Sequence, residues 1–405
     1  MTKIINFALL GCGRIAKKHS EIIAKQLPGA RLVAVCDLQE DRVSAMAEKY
    51  GVPGFSNLDE MMAAKGGDID VINVLTESGF HPKNVVDVAD YGCHVVVEKP
   101  MALTLGDALY MTDYCKNKGV KLFVVKQNRY NKPVQKVREA LAQERFGKIS
   151  LASVRVRWSR KQAYYDQDSW RGTWLLDGGV FSNQASHHID LICWLMGEVD
   201  SVYGYIATQL VDIEAEDTGI AVIKFKNGTL CTLEATTATR PKDLEASICL
   251  LGERGTASIG GFAVNQMKIW DFAQPVEGDE NVLAECNETP PNIYGFGHID
   301  YLKSVVKTLS EGHDVSVGGE EGVKSLKVIN AIYASAASGK EIKMDAFDGE
   351  YSRLGRREST DLLGTAQFLP SNVTYASMMQ KSEGISKTAI KSAQAEKDLL
   401  PDLTG

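Results

Sequence analysis

Ile4-Ile5-Asn6-Phe7-Ala8-Leu9-Leu10 runs directly into Gly11-Cys12-Gly13-Arg14-Ile15-Ala16, and a helical pattern follows to Gln26. A short apolar strand, a GxGxxA turn and a helix together form the signature of dinucleotide binding. The first glycine permits the tight turn and the second lets backbone approach a pyrophosphate. The small Ala16 lets helix pack on strand, which puts the phosphates at the helix amino end beside Arg14 and Ile15. Two glycines alone would be a weak signal, because any tight turn uses them. The context adds to it: Arg31-Leu32-Val33-Ala34-Val35-Cys36 reads as a second strand that ends at Asp37. An acid about 20 residues past the glycines accepts both ribose hydroxyls of NAD and repels a 2′-phosphate. NAD(H) is therefore expected over NADP(H), with Arg42 nearby as the opposing feature.

The alternation continues outward. Glu40 to Tyr50 and Leu58 to Ala64 have helical spacing, Val71 to Val74 reads as a strand, and a helix runs from His81 to Tyr91. A strand ending at Val97, a helix from Leu105 to Lys118 and a strand from Lys121 to Val125 follow. Strand alternating with helix predicts an α/β, doubly wound parallel sheet, a Rossmann domain over residues 1–126. After Lys126 the grammar changes to a helix from Pro133 to Gln143 and then strands near Ser150–Trp158, Ser201–Gln209, Asp217–Phe225, Thr229–Ala235 and Glu245–Leu251. Asn227-Gly228 between two of them is a hairpin signal. Adjacent strands with few helices predict an α+β domain with a mostly antiparallel open sheet over 127–355, and helices at His298–Ser310 and Gly319–Ser338 are placed to pack on the first domain. From about Arg356 the apolar periodicity weakens, so 356–405 reads as a flexible tail or interaction arm.

Net charge −7 over 405 residues argues against a general affinity for nucleic acid or an anionic membrane. The eight cysteines form no CxxC pair and read as buried thiols of a reducing compartment. The start shows no cleavable signal pattern and no apolar run reaches transmembrane length, so a cytoplasmic location is expected.

Val95-Val96-Val97-Glu98-Lys99-Pro100 closes a buried strand with a charged pair. At the carboxyl end of a parallel strand Lys99 would face the ligand crevice; the bland alternative is a surface Glu98–Lys99 pair. His81 at a helix start suits a cap or a solvent-facing ring as well as chemistry. Between Trp158 and Trp174 lies a polar and aromatic loop whose Arg160, Tyr164, Tyr165 and Arg171 suit a sugar, phosphate or carboxylate. The same residue types would equally make an oligomer interface. In the stretch from Asp177 to Leu195, Asn183 and His187 are predicted to share one helix face, with His188 a quarter turn away. A zinc site would need a ligand beyond His187 and Asp190, and the remaining partners are amides and basic groups, so no metal is expected.

The Gly11/Gly13 turn, Thr76 with His81, Glu98-Lys99-Pro100 and the Gly178-Gly179 stretch leading to His187 together resemble the Gfo/Idh/MocA sugar-dehydrogenase family from residue 4 to about 355. Lys126-Gln127-Asn128-Arg129-Tyr130-Asn131, the loop with Gln167, and Asn183 to Asp190 are similar to its members that oxidise the 3-hydroxyl of UDP-linked N-acetylglucosaminuronic acid in bacterial polysaccharide pathways. The resemblance implies Lys99 and His187 at the reacting carbon, His187 the favoured base and Lys99 the alternative. It implies substrate contacts from Arg160, Tyr164, Tyr165, Gln167, Arg171 and Asn183, and cofactor contacts from Gly11, Gly13, Arg14, Ile15, Asp37, Thr76, His81, Glu98, Lys99 and Gln127. A homo-oligomer, a tetramer, is implied too, and 2-oxoglutarate is permitted as the partner that reoxidises bound NADH. Many members carry an acid where this chain has Asn183, so an Asp–His dyad is not expected. Glu77 stands where proline is common, and the tail lies outside the family pattern. Two other readings stand beside this one: a dehydrogenase of a free sugar or inositol, and a catalytically silent NAD-binding regulator.

Overall fold

The computed structural model describes residues 3–355 except 289–294, 316, 350 and 352. The tail expected at 356–405 lies outside the described residues.

The first half alternates as its sequence predicts. In order come β1 (Ile5–Leu10), α1 (Ala16–Lys25), β2 (Ala30–Cys36), α2 (Glu40–Tyr50), β3 (Gly54–Phe55), α3 (Leu58–Lys65), β4 (Val71–Val74), α4 (His81–Asp90), β5 (His94–Val97), α5 (Leu105–Asn117) and β6 (Leu122–Val124). The six strands are ordered β3-β2-β1-β4-β5-β6, and every pairing is parallel. Order reverses between β1 and β4, so the crevice at their carboxyl ends is the ligand position of such a sheet. Helices cover both faces, which is why β4 and the last three residues of β5 are buried without alternation.

The second half holds α6 (Lys132–Ala142), β7 (Ile149–Arg157), α7 (Gln162–Tyr165), α8 (Ser186–Met196), β8 (Val199–Ala207), β9 (Thr218–Phe225), β10 (Leu230–Thr236), β11 (Glu245–Gly252), β12 (Gly255–Gly260), β13 (Gln266–Phe272) and α9 (Val282–Glu285). Then come α10 (Gly297–Glu311), α11 (Gly319–Ser338) and β14 (Ile342–Lys343). The eight strands run β13-β12-β11-β7-β10-β9-β8-β14, antiparallel except where β10 lies parallel to β7. Along β9 burial alternates strictly, with Ala221, Ile223 and Phe225 inward and Ile220, Val222 and Lys224 outward. One face is therefore packed and the other open. The packed face meets α6, α8 and α11 through Val134, Val137, Ile189, Ile192, Ile329 and Ile332. Asn227-Gly228 turns β9 into β10, with Gly228 at φ +89°.

The two late helices join the halves. Tyr301, Leu302, Val305 and Val306 of α10 fill the core with Ile5, Phe7 and Leu9 of β1. Leu326 of α11 packs in the first domain while Val328 and Ile329 pack in the second. No helix among the described residues is long and apolar enough to cross a membrane.

Candidate active site

A cleft of about 1300 Å³ runs from the carboxyl ends of β1, β2, β4 and β5 to the loop after β7 and the start of α8. On the first-domain side Gly11 has φ +101°, and a Cβ there would lie 2.8 Å from the Leu75 backbone, so only glycine lets the turn pass beside β4. A Cβ on Gly13 would meet nothing within 4 Å; the residue lines the cleft with Arg14 and Ile15. Asp37 also lines it, its Oδ2 accepting from Cys12 N at 2.6 Å and its Oδ1 from Gln39 N at 2.8 Å. These bonds hold the carboxylate at the cleft wall and leave it further lone pairs. Arg42 also lines the cleft and sits 3.5 Å from Asp168 Oδ1, so its charge is engaged by the loop after β7.

Thr76 and Lys99 stand on adjacent strand ends, and His81 ties the two. Its Nδ1 lies 2.8 Å from the Pro100 carbonyl and its Nε2 3.0 Å from the Thr76 carbonyl. With both ring nitrogens on backbone oxygens, and burial as the largest influence holding its pKa below the ordinary value, His81 fixes the walls of the cleft rather than capping or facing solvent. Glu98 is buried as well. It meets His19 Nε2 at 3.0 Å and His298 Nε2 at 3.5 Å, and its Oε2 accepts from Lys99 N at 3.0 Å. These contacts overcome its burial and hold the carboxyl well below the usual range. His19, Glu98 and His298 are the one grouping among the described residues with metal-like donor spacing. A hydrogen bond joins His19 to Glu98 and a 3.5 Å ion-pair contact joins His298 to it, and we assign no metal.

Lys99 and His187 line one part of the cleft, as does Asn183. Lys99 Nζ donates to the Asn183 backbone carbonyl at 3.1 Å. Burial lowers the Lys99 pKa, Glu98 and Asp177 oppose that, and Lys126 and Arg171 add to it. His187 is pushed well below its ordinary value, first by burial and then by Lys99, so its ring is neutral at neutral pH. Gln127 Nε2 donates to His187 Nε2 at 3.1 Å, which marks Nε2 as the basic nitrogen in this arrangement. Asn183 does not lie on the helix face it was predicted to share with His187. Helix α8 begins only at Ser186, and Asn183 sits in the preceding turn, its N–H on the Gly179 carbonyl. The turn before it is closed by Ala185 N on the Val180 carbonyl, a wider loop than a helical turn, and Phe181 N is taken by the Glu216 carboxylate.

The loop after β7 forms the far wall. Arg160 lines the cleft with one guanidinium nitrogen 3.0 Å from Asp243 Oδ1. Arg171 lines it with Nε on Asp168 at 2.9 Å and NH1 on the Tyr164 hydroxyl at 3.0 Å. Gln167 lines it and accepts from Arg14. Tyr165 is a correction: it is buried, its hydroxyl is on Thr237 Oγ1 at 2.9 Å, and it does not line the cleft. It packs edge to face with Tyr164, so neighbouring tyrosines divide into one wall residue and one core residue. Three contributors went unnoticed in the sequence. Asp243 lies 83 positions from Arg160 and offers no local signal. Lys161 lines the cleft, and its place in the basic run was the available sign. Asp177, directly before the glycine pair, sits behind Asn183.

Comparison with known proteins agrees with this geometry. A family model described as "Oxidoreductase family, NAD-binding Rossmann fold" matches residues 5–126, and one described as "Oxidoreductase family, C-terminal alpha/beta domain" matches residues 138–344. The WlbA dehydrogenase of Bordetella pertussis, solved with NADH and UDP-GlcNAcA, is 44% identical with a TM-score of 0.81, over 85% of this chain and 99% of that one. Its counterpart from Chromobacterium violaceum, solved with the same two ligands, is 41% identical with a TM-score of 0.79, over 85% and 96% of the two chains. Among curated relatives, the myo-inositol 2-dehydrogenase of Thermotoga maritima is 27% identical over 354 residues, 85% of this chain and 100% of the relative.

Proposed function

From the premise that the chain belongs to the Gfo/Idh/MocA oxidoreductase family and uses NAD, we propose that it oxidises the 3-hydroxyl of a UDP-linked N-acetylglucosaminuronic acid to the 3-keto sugar. The observation that carries the substrate is the nucleotide sugar bound by a neighbour 44% identical to this chain. The chain's own cleft supports it, because the basic and aromatic wall of Arg160, Lys161, Tyr164 and Arg171 suits an anionic, hydroxyl-rich ligand.

NAD⁺, when bound, supplies the hydride acceptor, and Gly11, Gly13, Arg14, Ile15, Asp37 and Thr76 would hold it. His187, neutral, takes the hydroxyl proton on Nε2 and gives up its bond to Gln127 as it does so. The Lys99 ammonium donates to the oxygen as negative charge develops there. Arg160 and Arg171 meet the uronate and the diphosphate, and Gln167 and Asn183 supply neutral contacts.

The curated inositol dehydrogenase supports a second reading, a polyol or free-sugar dehydrogenase. One assay separates the two: reduced-nicotinamide absorbance with UDP-N-acetylglucosaminuronic acid, UDP-glucuronic acid and myo-inositol, with and without the UDP group. The UDP-linked acetamido acid is expected to give the highest kcat/KM. Equal rates without UDP would overturn the substrate, and neither nicotinamide reduction nor keto-sugar product with any of them, with and without 2-oxoglutarate, would leave the silent regulator.

A further inference from the structure

Asp177 does not line the cleft, yet it is wired to the reacting pair. It is 1% exposed, its Oδ2 accepts from Gly172 N at 2.8 Å, and its Oδ1 accepts from Asn183 Nδ2. Asn183 in turn holds Lys99 Nζ on its backbone carbonyl at 3.1 Å, and Ser186 Oγ donates to the same carbonyl at 2.8 Å. The carboxylate thus joins three pieces of the site: the loop at Gly172, the turn at Asn183 and the lysine at the end of β5. A carboxyl this deep costs stability unless donors and cations compensate it. Here two N–H groups, Arg171 and Lys99 do so in part, and burial still pushes the group up to about 6.

We propose that Asp177 is a positioning residue of the hydride-transfer site, orienting the Asn183 amide toward the substrate and supplying a countercharge for the Lys99 ammonium. This rests on the reading that Lys99 and His187 face the reacting carbon. The first half follows from donor and acceptor chemistry. An ionised carboxylate only accepts, so the amide must present Nδ2 to it and turn Oδ1 the other way. Asn183 lines the cleft, so Oδ1 is the acceptor offered to a sugar hydroxyl. The second half follows from the charges around Lys99. Glu98 and Asp177 favour its cation, while Lys126 and Arg171 oppose it, and the neighbouring His187 is neutral. Glu98 is already shared with His19 and His298, and loss of Asp177 removes the other acid that favours the ammonium. Where many family members carry an acid this chain has Asn183, and the negative charge of Asp177 lies one layer behind it.

The test compares Asp177→Asn, Asn183→Asp and the double exchange of both with the wild type. kcat and kcat/KM are followed across pH with the UDP-linked acid, together with NADH affinity and the thermal midpoint. Removing a neighbouring opposite charge lowers a lysine pKa, by about one unit or more where the two lie within about 6 Å. Asp177→Asn is therefore expected to move the alkaline limb acidward by about one unit, to lower kcat roughly tenfold and to leave NADH affinity within twofold. The exchange variant, which returns a carboxylate to the pair, should restore the limb and most of kcat. A limb that stays in place in Asp177→Asn overturns the countercharge whether or not activity falls, and an exchange variant no better than the single one overturns the positioning. If the single variant does not fold, Asp177→Glu, which keeps the charge, and the exchange variant are read for the same limb. The Lys99 pKa is also read directly by NMR titration of 13C-lysine protein, with Lys99→Met for assignment. That readout needs no substrate, so an inactive wild type overturns the proposed substrate while the inference about Asp177 is still decided by the titration.

Discussion

In the proposed reaction Lys99 and His187 would act as a pair only while one is charged and the other is not. Burial lowers both pKa values, Lys99 from 10.5 with Lys126 and Arg171 adding to it, and His187 well below 6.5 with Lys99 adding to it. Below the histidine pKa the base is blocked, and above the lysine pKa the alkoxide loses its donor. The kcat/KM profile should therefore be a bell with its acid limb below pH 6.5 and its alkaline limb below 10.5. An acid limb at or above the ordinary histidine value would remove His187 as the base. Lys99→Met should abolish the alkaline limb and cut turnover roughly 100-fold while sparing NADH binding. Glu216 is a second buried acid, and it bears on stability rather than turnover. Its Oε1 accepts from Phe181 N at 2.9 Å and from the Tyr333 hydroxyl at 2.7 Å, yet burial pushes it up to about 7. Because the folded value exceeds the unfolded one, the native state binds the extra proton between them. Stability from this group is complete below pH 4.5 and lost as pH rises to about 7, on the order of 3 kcal/mol at most. Glu216→Gln should flatten that slope and raise the melting temperature at pH 8 by a few degrees. Melts that keep the wild-type slope would show that Glu216 stays ionised throughout.

The loop after β7 acts as an element across the cofactor turn. Gln167 accepts from Arg14, Asp168 lies 3.5 Å from Arg42, and the Arg14 guanidinium stands 5.7 Å over the Tyr164 ring. Both arginines belong to the dinucleotide-binding half, so the loop bridges the groove in which a pyrophosphate would lie. Partly exposed pairs of this kind contribute about 0.5–1 kcal/mol each. Replacing Gln167 and Asp168 together by alanine should accordingly speed NADH release several-fold, measured by displacement in a stopped-flow instrument. An unchanged release rate would mean that the loop closes nothing. This bridge was not legible in the sequence, where Arg42 looked only like a weak argument for NADP. The Rossmann elements were legible because each strand or helix carries its own period, and Asp37 follows its glycines at the usual distance. Strand β3 has two residues, too few for any period, and β12 is Gly-Thr-Ala-Ser-Ile-Gly, whose small residues give no strand signal. The spacing around Asn183 is helical, but the turn there is shaped by the distant Glu216 carboxylate on Phe181 N and by Asp177 on the Asn183 amide, which local spacing does not reveal. Tyr165 was grouped with Tyr164 because sequence adjacency carries no information on which side of a short helix meets solvent.

At the scale of the whole molecule, one continuous cleft must serve every step, because α10 and α11 lock the two sheets around it. The open face of the eight-stranded sheet exposes Tyr205, Ile220, Val222 and Ile269, which supports the expected homo-oligomer; light scattering of the purified protein is expected to exceed the monomer mass, and a monomer would refute it. The reaction itself poses the larger problem. Oxidation of a secondary alcohol by NAD⁺ is uphill near neutral pH, so the proposed keto sugar would accumulate only if NADH is reoxidised or the product is removed. The bridge of Arg14 and Arg42 to the loop favours a cofactor that stays bound between turnovers. A bound cofactor must then be reoxidised in place, by a second substrate entering where the sugar acid left. A small dicarboxylate keto acid fits that role chemically: Lys99, Arg160 and Arg171 would meet its carboxylates, and protonated His187 would return the proton it took from the sugar. We therefore expect 2-oxoglutarate to complete the cycle, the proton from the sugar passing to the keto acid with no net release to solvent. Purified protein, with whatever nucleotide it retains, would be mixed with UDP-N-acetylglucosaminuronic acid, with and without 2-oxoglutarate, and 2-hydroxyglutarate quantified. One hydroxy acid per keto sugar and parallel-line, ping-pong kinetics are the expected result. Sustained turnover on added NAD⁺, unaffected by the keto acid, would sink it, and fast NADH release in the wild type would say that the bridge does not retain the cofactor.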